Sequence, residues 1–339
     1  MHTTRFDVFW CTVIVVAFAT VLLPTAAGAQ ILSPALLVLN KEDNALAIVD
    51  PRSHKVVGTV PTGVGPHEVT ASADGRWAYV SNYGSFGPNA APGHTISVID
   101  IVNQKQVRQV DLGALLKPHG IDFADGKVYF TAELSRAIGR YDPATNQVDW
   151  VMGTGQNRTH MLFPTRDLSK IFTTNVDSDS VSIFERSNDP TGWTETVIAV
   201  GKGPEGASLS PDEKQFWTAN SHDGTVSVID VGAKKVSQTI DVGAQFSNRL
   251  KFTPDGRLVL ITDLRAGDVI VVDVASKKVV KRIKVGKATE GILVVPDGSL
   301  AYVAATPDNK VVILDLQKLE VTGEFHTGTG PDGMAWAVR

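Results

Sequence analysis

Cysteine is nearly absent from the chain. The single one, Cys11, lies in an apolar N-terminal stretch. A disulfide framework, a Cys-x-x-Cys-His haem attachment and a quinone cofactor built from a cysteine-linked tryptophan are therefore excluded. Two other chemistry-bearing patterns are missing: a Gly-rich phosphate cradle opening a helix, and a Gly-x-Ser-x-Gly elbow. No charge of one sign dominates either. The 339 residues carry 32 Lys+Arg against 36 Asp+Glu, a formal net charge of −4, which argues against nucleic acid or an anionic membrane as main partner. Low-complexity tracts are also lacking, and 43% of residues are hydrophobic, as in an ordinary packed globule.

The first thirty residues differ from the rest. Arg5 precedes a mostly apolar run, Val8 to Leu23. Pro24 then breaks the run, and Ala27-Gly28-Ala29 puts small side chains at a cleavage site before Gln30. The pattern predicts a signal peptide over 1–29 and a mature chain over 30–339, periplasmic or secreted. The run is shorter than the roughly 20 residues that span a bilayer, so no transmembrane span is expected after cleavage. With no Cys at the cut, no lipid anchor is expected.

One phrase recurs along the remainder. Asp74-Gly75, then Trp77-Ala78-Tyr79-Val80-Ser81-Asn82 and Thr95-Ile96-Ser97-Val98-Ile99-Asp100, returns as Asp212, Phe216-Trp217-Thr218-Ala219-Asn220 and Thr225-Val226-Ser227-Val228-Ile229-Asp230. Further copies begin at Pro254-Asp255-Gly256 and Pro296-Asp297-Gly298, with looser ones over 119–152 and 160–199. Each reads as four short β-rich runs separated by turns, with no helical periodicity between them. Four strands in a period of about forty residues predict the blades of a propeller. The fold class is all-β: a seven-bladed β-propeller of four-stranded blades. Three runs at 35–40, 45–50 and 55–60 precede the first full unit, and one near 333–338 follows the last. Three plus one complete a seventh blade, closing the ring and removing exposed sheet edges.

Tyr79-Val80-Ser81-Asn82 with Ser97-Val98-Ile99-Asp100 resembles the YVTN-repeat family of exported bacterial β-propellers, over essentially all of 35–339. The resemblance implies the fold and little chemistry, because one architecture hosts many functions.

Alignment of the seven units exposes one polar position per blade, just before each innermost strand: His67, His119, His160, Glu205, Asn248, Glu290 and Asp332, at spacings of 52, 41, 45, 43, 42 and 42 residues. Innermost strands surround the central channel, so these residues should converge on one mouth of it. Three histidines on consecutive blades, His67, His119 and His160, are candidate ligands for a divalent transition metal: Zn, Mn, Fe, Cu or Ni. Glu205 and Asp332 flank them as fourth ligand or general base. Such a metal could polarise a substrate oxygen or lower the pKa of bound water, and its affinity should fade below about pH 6 as imidazoles protonate. The alternative is a structural ring whose polar residues bond the linkers between blades.

An insertion at 83–94 should rise on the same face as the histidines and wall a pocket. Arg158, Arg249, Tyr83 and Glu133 are candidate substrate-binding residues there, with Lys117 and Arg265 nearby; Arg and Lys beside a metal suit a small anion. A second recurring set, Asn40, Asn82, Asn175, Asn220 and Asp263, reads as structural, as do the aspartates ending the third strands. Two functions stay open. One is a metal-dependent enzyme, a lyase or oxidoreductase acting on a small anionic organic molecule; seven-bladed uronate lyases, streptogramin lyase and copper oxidoreductases resemble it in architecture. The other is a non-catalytic envelope platform for a protein, glycan or cofactor. A monomer is expected in both.

Overall fold

The computed structural model describes residues 1–4 and 33–339, except 86, 88 and 189–191. The apolar run of the predicted signal peptide and its cleavage point, within 5–32, lie outside the described residues. Among the described residues there is no α-helix, only two short 3₁₀ turns at Val176–Ser178 and Thr306–Asp308. None is long and apolar enough to cross a membrane.

Residues 35–337 form seven antiparallel sheets of four strands each. Six sheets are continuous in sequence. Blade 2, for example, runs through Pro66–Ala71, Trp77–Gly84, Pro92–Asp100 and Lys105–Asp111. Blade 1 is composite: Pro331–Ala337 pairs with Ala35–Asn40, which continues to Ala45–Asp50 and Lys55–Pro61. The closure is the expected three plus one, with Leu36 opposite Trp336 and Ala35 opposite Ala337. The last strand starts two residues earlier than the pattern suggested and ends at Ala337, leaving Val338 exposed.

Period-two patterning explains the layering. The second and third strands of each blade are buried on both faces because neighbouring blades pack against them. Leu258–Asp263 and Asp268–Asp273 are examples. Aromatic side chains bridge adjacent blades: Phe172 of blade 4 stacks on Phe216 of blade 5 at 4.8 Å, and Trp217 meets Phe252 of blade 6 at 5.5 Å. Phe172, Phe216 and Trp217 are wholly buried, a burial that stabilises by up to about 3 kcal/mol for a side chain such as phenylalanine. Outermost strands are charged and largely exposed, as in Lys278–Lys284, which discourages edge-to-edge pairing.

Innermost strands approach so closely that side chains are excluded between several of them. A Cβ on Gly206 would lie 2.1 Å from the Asn248 carbonyl oxygen, and one on Gly291 would lie 2.0 Å from that of Asp332. These glycines directly follow the polar position of their blades. Their absence of side chain lets the strand ends crowd into a narrow axial mouth.

Candidate functional site

Six of the seven polar positions lie inside the innermost strands rather than before them; Glu290 alone precedes its strand, Ile292–Val294. The pairing register slips at or beside this position, between Pro66 and Glu68, Pro118 and Ile121, Thr159 and Leu162, Pro204 and Ala207, and Ser247 and Leu250. Such a bulge re-aims a side chain out of the pleat, here into the channel.

A second device fixes four of these residues by a hydroxyl near the end of the preceding blade's second strand, which donates to their carbonyls: Ser81 to His119 at 2.6 Å, Thr131 to His160 at 2.6 Å, Thr174 to Glu205 at 3.0 Å and Thr262 to Glu290 at 3.0 Å. All four hydroxyl oxygens also accept a backbone N–H of their own blade, from Glu68, Gly120, Met161 and Arg249. The adjoining Asn and Asp side chains are structural, as expected. Asn82 accepts from the Gly63 N–H and donates to Thr95, while Asp263 accepts from Gln245 and Phe246. The hydroxyls, three of them one residue before those side chains (Ser81, Thr174 and Thr262), were the missed signal.

The three imidazoles line up around the mouth. Ring centroids of His67 and His119 are 4.4 Å apart, those of His119 and His160 3.8 Å. His119 is 1% exposed, and neither of its ring nitrogens has a hydrogen-bond partner among the described residues. His160 pairs through Nδ1 with the Glu133 carboxylate, while its Nε2 has no hydrogen-bond partner and lies 3.6 Å from Glu205 Oε1. Leaving a buried polar atom unsatisfied costs about 1–3 kcal/mol, so these nitrogens are the strongest chemical signal in the channel. His119, Glu133 and His160 offer ligand atoms that all lie within 4.8 Å of one another. Ligands at the zinc distance of about 2.0–2.1 Å would sit about 3.3 Å apart, so the group must tighten to hold an ion. His67 is not part of that group. Its Nδ1 lies 3.9 Å from Asp332 Oδ2, and its ring stacks on Tyr83 at 5.3 Å.

Glu133, expected to meet substrate, is buried and engaged three ways. It binds His160, accepts from the Tyr83 hydroxyl at 2.6 Å, and lies 3.7 Å from Arg158 Nε. Burial alone would raise its pKa, but His160, Tyr83 and Arg158 outweigh burial and hold it low. Burial and the Glu133 charge push the Tyr83 hydroxyl upward, so it stays a donor.

Arg249 is also enclosed, 6% exposed. It donates across the channel to Glu68 at 2.6 Å and to Asn248 at 3.0 Å, lining the axial cavity together with the imidazoles. Asp332 is fully buried, 3.2 Å from Lys41 Nζ. Burial would raise it, but Lys41, His67 and Arg249 keep it below the usual carboxylate range. Burial and the Asp332 charge push neighbouring Glu290, which also pairs with Lys41, up to about 7. Lys41 and Glu68 escaped the sequence reading. Lys41 was findable, because it follows Asn40 as Tyr83 follows Asn82, and in both the backbone N–H bonds a glycine two residues before a ring residue. Nothing in the sequence pairs Glu68 with Arg249.

Burial keeps the imidazoles of His67 and His119 neutral. His67 is held down to about 3, burial outweighing the nearby Asp332. His119 is held well below its ordinary value by burial and by the neighbouring His160 and His67. Neutral rings are the ligand form. The axial cavity encloses about 170 Å³. Beside it lies a larger one of about 470 Å³, which shares Tyr83 and Arg158. Of the 83–94 insertion, Tyr83 alone lines these two cavities among the described residues; Gly84, Ser85 and 91–94 line a separate one.

A profile of the Cytochrome D1 heme domain family matches residues 175–332, less than half of the chain. The matched stretch begins after His67, His119, Glu133 and His160. No curated protein matches by sequence. Solved structures share the fold. Hydrazine synthase of Kuenenia stuttgartiensis is 17% identical with a TM-score of 0.73, over 88% of this chain and 99% of that one. A protein of Desulfotomaculum acetoxidans is 11% identical with a TM-score of 0.74, over 90% and 99%. The dihydro-heme d1 dehydrogenase NirN, in complex with DHE, is 16% identical with a TM-score of 0.63, over 88% and 74%. At these identities the likeness is one of fold.

Proposed function

We propose that the chain is an exported propeller of YVTN type that binds a divalent transition metal at its axial mouth and offers it to a small anionic organic molecule. The observation that carries this reading is the set of buried ring nitrogens without a hydrogen-bond partner on His119 and His160. His119 and the Nε2 of His160 would be ligands, with Glu205 or His67 completing the set. Glu133 would accept the Nδ1–H hydrogen bond of His160 and so fix its tautomer, an arrangement that commonly supports metal-ligating imidazoles. Bound there, the metal would supply Lewis-acid polarisation or an activated water, within reach of lyase or oxidoreductase chemistry. Glu205, 3.6 Å from His160, is the carboxylate placed to accept a proton. Asp332, locked to Lys41, is not.

The test is elemental analysis of the purified chain, followed by titration of stripped protein with Zn, Mn, Ni and Cu. A site of one ion per chain, lost in His119→Ala while the circular dichroism spectrum is unchanged, is expected. Absence of any His119-dependent site would remove the reading.

A second reading draws on the Cytochrome D1 heme domain match: a platform for a tetrapyrrole. The axial cavity does not fit one, since pockets for such ligands run to about 300–1,000 Å³ against about 170 Å³ here. The ring histidines also lie outside the matched residues. A tetrapyrrole would have to lie across the mouth. Haem titration followed by absorbance, with and without His119, separates the two readings.

A further inference from the structure

On the face carrying the imidazoles, left-handed backbone positions follow a rule with three exceptions. Two residues before the ring residue, blades 2, 5 and 1 place Gly65, Gly203 and Gly330, at φ of 63°, 64° and 67°. Blades 3 and 4 place Lys117 and Arg158 there, at 55° and 53°. In the turn between second and third strands, the left-handed residue is Asn44, Asp179, Gly224, Gly267 or Asn309, types that tolerate the conformation. Blade 3 has Arg136 instead, at 52°. A long side chain in this region costs stability, because its Cβ crowds the following carbonyl. Turns on the opposite face hold residues of several kinds in the same conformation, such as Gln104 and Leu319, so conformation alone marks nothing. What separates these three is that all are cations and all line the 470 Å³ cavity beside the axial mouth.

Their charges are poorly matched within the protein. Among the described residues Arg136 has no side-chain hydrogen bond or ion pair. Lys117 Nζ lies over the Tyr83 ring, 4.6 Å from its centroid, and among the described residues it has no ion pair. Arg158 reaches Glu133 and Asp177 at 3.7 and 3.9 Å, too far for hydrogen bonds. Glu133 also pairs with His160 and accepts from Tyr83, and it lines the cavity with Asp177, leaving the three cations in excess of two carboxylates. Leu134 stands 58% exposed in the same cavity.

We propose that this cavity binds an organic dicarboxylate, its carboxylates on Arg136, Arg158 and Lys117 and its carbon frame against Leu134 and Tyr83. Guanidinium forks match planar carboxylates in pairs, and an exposed leucine suits a carbon frame better than an inorganic ion. The inference extends the proposed function by naming the class of molecule presented to the axial mouth. It stands apart from the metal, since none of the three cations is a ligand.

The experiment uses metal-stripped protein and isophthalate, a dicarboxylate that does not chelate, with phosphate as comparison, followed by calorimetry at low salt. Isophthalate should bind and phosphate should bind at least about tenfold more weakly. Arg136→Gly and Lys117→Gly should each weaken isophthalate about tenfold while raising Tm, because glycine relieves the left-handed strain. His119→Ala should leave isophthalate affinity unchanged even where it abolishes metal binding, so failure of the metal site is read separately. No isophthalate binding, phosphate binding as tightly, affinity unchanged in both glycine variants, or a Tm that does not rise in either would each overturn the proposal.

Discussion

Replacing His67 with glutamine removes a group that the folded chain refuses to charge. The buried imidazole takes a proton only near about 3, whereas in an unfolded chain it does so near about 6.5. Between those values the unfolded state binds a proton that the native state lacks, so native stability falls as pH drops through that window. The ring costs nothing in this respect at about pH 7.5. At about pH 5 the linkage amounts to RT ln(1 + 10^1.5), about 2 kcal/mol, or roughly 3 °C in Tm for a domain of this size. Metal-free His67→Gln protein should therefore gain about 2 kcal/mol on wild type between those two pH values, whatever its starting difference. Glu290 and Asp122, raised by burial to about 7 and about 6, titrate in the same range. Both are present in wild type and variant, so they cancel in the comparison. Guanidinium unfolding curves at the two pH values supply the measurement. An equal difference at both would mean that His67 charges in the native protein, and the argument from burial would fail.

The same burial changes an expectation drawn from sequence. Metal affinity, predicted there to fade below about pH 6, should persist to about pH 5 because His119 and His67 stay neutral; a Ni titration across that range checks it. Glu68→Gln leaves the charge of the enclosed Arg249 without its closest counter-charge and should cost about 3 kcal/mol in chemical denaturation. Glu68→Leu combined with Arg249→Met should recover most of that loss, and a near-neutral single variant would contradict the pairing. Removal of 331–339 strips Ala35–Asn40 of its inner partner. The whole ring should then lose cooperative unfolding, not a single blade.

Much of the fold was written locally. Each blade is four runs of alternating residues joined by Asp-Gly or Asn-containing turns, and that pattern repeats whatever the rest of the chain does. Counting the runs at the two ends was enough to predict the composite blade, because closure is arithmetic once the repeat is known. The convergence of His67, His119 and His160 followed from the same counting, since equivalent positions on consecutive blades must be neighbours around an axis. Contacts across or along the channel were another matter. Glu68 and Arg249 are 181 residues apart, and Lys41 meets Asp332 only because the ring has closed. Glu133 pairs with His160, an outcome set by which way a bulged strand aims one side chain. The repeat period determines which residues ring the axis. Bulge geometry, the diameter of the mouth and the exclusion of water decide which of them touch and which stay charged, and those arise only when all seven blades are packed together.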